Sequence, residues 1–228
     1  MSVSIDTVYQ RVLAVLNKEQ RGYVTPQEFN LFANQAQMDI FEQYFYDINQ
    51  FSRIPGNDTE YSDMLNILNE KINIFASTAT LAWDTDHFNK PSDFYRLGTI
   101  IYNYKEVERV SKNEYLYINS SPLTKPSDAF PIFVENELGY NVYATLQLTA
   151  GVSCNYIKKP ATVEWAGVLT GGYELNDNSA TINFELHPSE ETQLVVKILE
   201  LAGIALKDPG LIQIGGGLEN QKVQQEKA

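Results

Sequence analysis

The sequence holds one cysteine, two histidines and two tryptophans in 228 residues. A lone Cys154 excludes an intrachain disulfide, so nothing in the composition calls for an oxidising compartment. Two histidines, His87 and His187, leave little material for a transition-metal site or for histidine-centred acid–base chemistry. No apolar run approaches the roughly 20 residues a helix needs to cross a bilayer. The opening Met1-Ser2-Val3-Ser4-Ile5-Asp6 has neither the basic start nor the apolar core of a signal peptide. The expectation is a soluble chain, made in the cytosol and without a membrane partner. Positive charge is also scarce. With 17 Lys and Arg against 29 Asp and Glu, the formal charge is −12. That balance disfavours a general nucleic-acid binder, whose affinity comes from cations neutralising phosphates. It leaves room for a conduit whose acidic wall lets DNA pass without sticking.

Hydrophobic residues are plentiful, at 43%, which suits a packed core and not a disordered chain. The aromatic share is dominated by 14 Tyr and 11 Phe. Tyrosine is as useful at interfaces as in cores, because it joins a rigid apolar body to a polar tip.

The pattern along the chain predicts an α+β protein. Val8, Val12, Val15 and Leu16 fall at helical spacing after Ser4 or Asp6, and Gly22 ends that helix. Thr25-Pro26-Gln27-Glu28 is a helix start: Thr caps, Pro occupies the first helical position, and Glu28 completes a capping box. Phe29, Phe32, Ala33, Ala36, Ile40, Phe41, Tyr44 and Phe45 then form a stripe to about Tyr46, wide enough to pack on two sides. A third helix is expected from about Tyr61 to Phe75. From Thr78 the period changes to alternation, with strands expected at Phe94 to Tyr104, Val107 to Val110, Ile132 to Glu135, Asn141 to Leu148, Val152 to Ile157 and Thr181 to Leu186. Ser111 to Tyr117 reads as a short helical turn. Pro188-Ser189-Glu190-Glu191 opens a last helix, to about Leu206. The expected organisation is a helical region at 1–77, a mostly antiparallel β region at 78–187, a C-terminal helix at 188–206 packing back on the helical region, and an extended tail at 207–228.

The residues able to carry chemistry each fit a structural role. Asp84, Asp86 and His87 offer three ligands in four residues, but no second cluster completes a coordination sphere, and a polar loop between strands is the expectation. Cys154 alternates with Val152 and Tyr156, as a buried structural thiol would. Gly215-Gly216-Gly217 lacks the Lys-Ser/Thr of a phosphate loop, and Gly171-Gly172 precedes no helix. Glu190 and Glu191 sit where a helix dipole favours acids. No enzyme activity, metal or cofactor is expected.

Four stretches carry a resemblance. They are Ser4-Ile5-Asp6-Thr7-Val8-Tyr9 with Gln20 to Asn30; Lys90-Pro91-Ser92-Asp93-Phe94-Tyr95-Arg96-Leu97; Tyr156-Ile157-Lys158-Lys159-Pro160 with Trp165; and Phe184 to Glu191 leading into Ile198 to Ile204. Together the chain resembles virion proteins of tailed phages, in particular crAss-like and related short-tailed phages of Bacteroidetes. The resemblance implies a head–tail connector: a homo-oligomeric ring in the virion neck, twelvefold by analogy with portals, which joins the portal protein to other neck and tail rings. DNA would pass through it without sequence-specific binding. On that reading the candidate contact residues are Phe41, Tyr44, Phe45 and Tyr46 on the second helix, and Leu211, Ile212, Ile214 and Leu218 in the tail. A rival reading is a tail or baseplate module that binds a host glycan or partner, which would need Trp83, Trp165 and tyrosines exposed in a groove.

Overall fold

A computed structural model describes residues 2–18, 24–51, 64–170, 173–177, 179–206, 213 and 216–218. The chain is α+β, with N-terminal helices, a central mostly antiparallel sheet and a C-terminal helix. The helices are α1 (Ile5–Lys18), α2 (Pro26–Phe51), α3 (Met64–Asn73), α4 (Lys112–Ser120) and α5 (Glu191–Leu206). The fold comprises two compact units, one of residues 1–74 with 160–228 and one of 75–159. Residues 160–187, expected in the β region, therefore group with the helices.

In the helical unit the start of α2 is the capping box its sequence spells. Thr25 N donates to Glu28 Oε2 at 2.9 Å, and Glu28 N donates to Thr25 Oγ1 at 3.3 Å. The bond from Thr25 N, with a second from Thr25 Oγ1 at 2.8 Å, holds the Glu28 carboxyl below its ordinary range. The wide stripe of α2 buries Phe29, Ala33, Ala36, Ile40, Phe41 and Tyr44, and the helix packs against both α5 and α3. Helix α5 also meets α1 and buries Leu194, Ile198 and Ala202. Burying each large aliphatic or aromatic side chain of this set contributes about 1.5–3 kcal/mol relative to exposure.

Polar side chains organise the rest of this unit. Asn30, Asn34 and Gln37 recur on one face of α2 and face the backbone of an extended segment. Asn34 Oδ1 accepts from Val163 N at 2.9 Å, and its Nδ2 donates to Val163 O at 2.9 Å. Asn30 makes the same pair with Trp165, at 2.9 and 3.2 Å. Gln37 Nε2 donates to Ala161 O at 2.8 Å, while its Oε1 accepts from Glu185 N at 3.3 Å. Side-chain amides thus take the place of a neighbouring strand for residues 161, 163 and 165; Val163 and Trp165 are buried, and their backbone groups would otherwise lack partners. This also explains why Thr181 to Leu186 is not the strand its alternation predicts. Only the single bridges Ile182 to Glu164 and Phe184 to Val3 form, because Glu185 is tied to a helix side chain instead of a ladder.

The second unit contains β1 (Ala76–Thr80), β2 (Trp83–Asp84), β3 (His87–Asn89), β4 (Phe94–Tyr102), β5 (Lys105–Val110), β6 (Ile132–Glu135), β7 (Gly139–Tyr143) and β8 (Val152–Lys158). Their order in the sheet is β1-β8-β4-β5-β6-β7-β3-β2. All neighbours are antiparallel except β5 and β6, which α4 joins as a crossover. The two outermost strands, β1 and β2, are consecutive in the chain. Leu81 N donates to Val152 O on β8, and Asn89 N on β3 donates to Ala82 O, both at 2.9 Å. One bent stretch therefore bonds to both edges, and the sheet closes into a small barrel without long free edges. Its interior is Leu81, Phe88, Ile100, Val107, Phe133, Tyr140, Val142, Val152, Cys154 and Tyr156, drawn from every part of the wall. Gly139 is required where β7 passes β3, since a Cβ there would run into the Phe88 carbonyl oxygen and the His87 ring.

Sequence alternation locates most of this wall but misses β1 to β3. Ala76-Ser77-Thr78-Ala79-Thr80 lacks large apolar residues, and the next two strands are too short to show a period. The expected strand from Asn141 to Leu148 ends at Tyr143, where Ala144 N donates to Leu146 O at 2.9 Å and turns the chain. The remaining strands, β9 (Gly167–Thr170) and β10 (Tyr173–Asn176), pair as a separate hairpin in the helical unit. Among the described residues, no helix is long and apolar enough to cross a membrane.

Candidate interaction surface

The candidate contact residues on α2 divide by burial. Phe41 and Tyr44 are core residues, at 0% and 4% exposure, and present no surface. Phe45 is half-buried and meets Phe41 edge-on at 5.2 Å, so only Tyr46, 66% exposed, faces outward. The helical period places Phe41, Tyr44 and Phe45 on the inner stripe, and the α2 stripe has helices to cover it on two sides. Leu211, Ile212 and Ile214 lie outside the described residues, as do Gly22 and Gly171-Gly172. Leu218 is half-exposed.

The residues weighed for chemistry are placed as follows. Asp84 and Asp86 flank the β2–β3 turn, and Asp86 Oδ1 lies 2.6 Å from Nδ1 of the largely buried His87. Among the described residues, no group of three or more His, Cys, Asp or Glu stands together as metal ligands would. Cys154 points into the barrel, where burial pushes its thiol pKa up and disfavours the nucleophilic thiolate. His187 precedes the 3-10 turn at Pro188–Glu190 and caps it, its Nδ1 accepting from Ser189 N at 3.2 Å. Glu190 is 1% exposed and pairs with Lys71 Nζ at 2.5 Å, so it is an internal ion-pair partner and not a surface dipole cap. Trp165 is buried, its ring 4.4 Å from that of Tyr9 and its Nε1 donating to Asp6 Oδ1 at 2.9 Å. Trp83 is half-buried, edge-on to Phe88.

Among the described residues, the most exposed large apolar residues, those above 66%, all lie on the barrel unit. Strand pairing places the β4–β5 hairpin tip, the start of β6, the end of β7 and the β2–β3 turn at one end. Hydrogen bonds tie these loops together. Lys105 Nζ donates to Asp128 O at 3.4 Å, and Asp128 Oδ1 accepts from Thr145 Oγ1 at 3.2 Å. Gln147 Nε2 donates to Asp86 O at 3.1 Å. This end presents Tyr104, Phe130 and Leu146, respectively 104%, 79% and 79% exposed. Leu123, in the loop that brings the chain back to β6, is as exposed as an isolated residue.

Tyr104 carries a further mark. It and Asn103 form the two-residue hairpin turn with φ of 60° and 47°, the left-handed conformation that Asn and Gly adopt at least cost. A tyrosine there stores strain of about 1 kcal/mol or more, and such outliers cluster where function requires them. Sequence alternation ran the strand through to Tyr104 because the tip has no glycine. Asn103 was the available signal.

A second apolar feature lies on the barrel's flank. A crossover helix between parallel strands must run along the outside of the sheet, and α4 does so with Tyr115 stacked on Tyr143 at 4.4 Å. No residue of α4 is buried, and Leu116 and Tyr117 project outward at 68% and 77% exposure. The helix is fixed by its own capping box, with Ser111 N donating to Glu114 Oε2 at 2.9 Å and Glu114 N donating to Ser111 Oγ at 3.3 Å.

No protein-family model matches the chain, and no curated protein matches it.

Proposed function

We propose that the chain is a structural subunit of a virion neck ring, which joins portal to tail and encloses the DNA path. Contact, in this reading, is its work. The observation that carries it is the exposed apolar end of the barrel, where strand pairing brings a strained Tyr104, Phe130 and Leu146 to the same end. Large apolar side chains grouped on a surface mark interaction sites more often than they serve a free monomer. The four sequence stretches that resemble phage connector proteins support the same reading. The net charge of −12 suits a wall along which a polyanion moves without being held. The partners are further copies of the chain, the portal protein and the adjoining rings.

Native mass spectrometry and negative-stain microscopy of the purified chain, alone and mixed with portal protein, test this. The expected result is a closed ring, twelvefold if the symmetry follows the portal. A chain that stays monomeric in both conditions and binds a glycan array would overturn the reading.

A further inference from the structure

Two apolar surfaces on the barrel unit face different ways. One is the barrel end, with Tyr104, Phe130 and Leu146. The other is the α4 flank, with Leu116 and Tyr117. A subunit with two distinct sticky faces assembles head-to-tail, and the assembly closes into a ring when the rotation allows. We propose that the barrel end of one copy packs on the α4 flank of the next, so that copies of this chain join through their barrel units. This rests on the reading of the chain as a self-assembling subunit.

Charge favours the same contact. The unit of residues 75–159 holds 8 Lys and Arg against 9 Asp and Glu, while residues 1–74 and 160–228 hold 9 against 20. Copies that met through their helical units would press net charges of −11 together, whereas barrel units are nearly neutral. Like-charge juxtaposition costs several kcal/mol at an interface. Area is adequate too. Covered completely, the five side chains of the two faces would bury on the order of 800 Å², about half of a standard 1,600 Å² interface, with the surrounding loops and helix supplying the rest.

The test uses the full chain and two variants, Phe130→Asp at the end and Tyr117→Asp on the flank. Both residues are exposed, so each variant should fold, and its thermal melt checks that. Light scattering and native mass spectrometry should show the wild-type oligomer fall to the 25.8 kDa single chain in each variant. Mixing the two should restore a species of twice that mass, because each retains the face the other has lost. An oligomer that survives both substitutions would overturn the proposal and leave self-assembly standing. Loss in Phe130→Asp alone, without complementation, would replace head-to-tail contact with end-to-end contact. A monomeric wild type would overturn the proposal together with the self-assembly on which it rests, and would leave both faces to a different protein.

Discussion

The two units of this protein reach stability by different means. The barrel is nearly neutral, with 8 cationic against 9 anionic residues, and is held by a continuous apolar interior that every part of its wall supplies. The helical unit carries 9 against 20, and beside its apolar core it depends on specific polar pairs. Lys71 and Glu190 meet out of solvent, and three amides of α2 substitute for a strand. A closed sheet satisfies its own backbone, so its interior can be apolar throughout. A helix packed beside an extended segment cannot, because the segment's N–H and C=O groups find no ladder, and side chains must complete them.

Lys71→Ala is expected to break the contrast most sharply. It removes the Lys71 ammonium from Glu190, which is 1% exposed, and removing one partner of a buried pair costs about 3–5 kcal/mol. Urea unfolding followed by circular dichroism measures this, and a loss below about 1 kcal/mol would mean that the pair is not a main support. Asn34→Ala comes next. It removes both partners of the Val163 backbone, for an expected loss of about 2–3 kcal/mol. Asn34→Gln, with the same amide on a longer stem, should recover only part of it.

The barrel should respond in the opposite sense. Among the described residues, the Tyr140 hydroxyl is buried without a hydrogen-bond partner, and burial raises its pKa far above the ordinary range. Deleting a buried, unpaired hydroxyl relieves a desolvation cost, so Tyr140→Phe should be neutral or stabilising by about 1 kcal/mol. A destabilised variant in the same urea assay would show that the barrel too relies on a polar contact.

The smallest effect is one the units share. Each contains an exposed capping box, Glu28 in one and Glu114 in the other, and in both the carboxyl pKa is lowered chiefly by the bond from the cap residue's backbone. A carboxyl whose pKa is depressed on folding stabilises the fold above its unfolded-state pKa, and that contribution fades as pH falls through the folded value. NMR titration should find both glutamates ionising below an ordinary glutamate. Thr25→Val and Ser111→Ala, which delete the cap hydroxyl and keep the backbone N–H, should each move its own glutamate only part of the way back and leave the other unmoved.

The two units also differ in how much of them can be read from sequence. Thr25-Pro26-Gln27-Glu28 states its helix start because capping is a bargain among four neighbouring residues. The inner stripe of α2 and the alternation of Val152, Cys154 and Tyr156 are equally local, since helix and strand periods fix which residues share a face. Leu146 shows where that logic stops. Its alternation with Val142 and Ala144 reads as a strand, yet the chain turns after Tyr143 and leaves it exposed. Phe41 and Tyr44 show the reverse case, offered as contacts and found buried, because an aromatic stripe looks the same whether a neighbouring helix covers it or not.

The sequence by itself determined the helices with their caps, most of the barrel's strands, and a cysteine that belongs inside. These follow from interactions within a few residues. Only the tertiary structure decided that one bent stretch from Ala76 to Asp84 closes the sheet, that Asn30, Asn34 and Gln37 serve as a surrogate strand, and that Tyr104, Phe130 and Leu146 share one end. Each joins residues from separate parts of the chain, and exposure is a property of what the rest of the fold leaves uncovered. The apolar face proposed to build a ring is of this second kind.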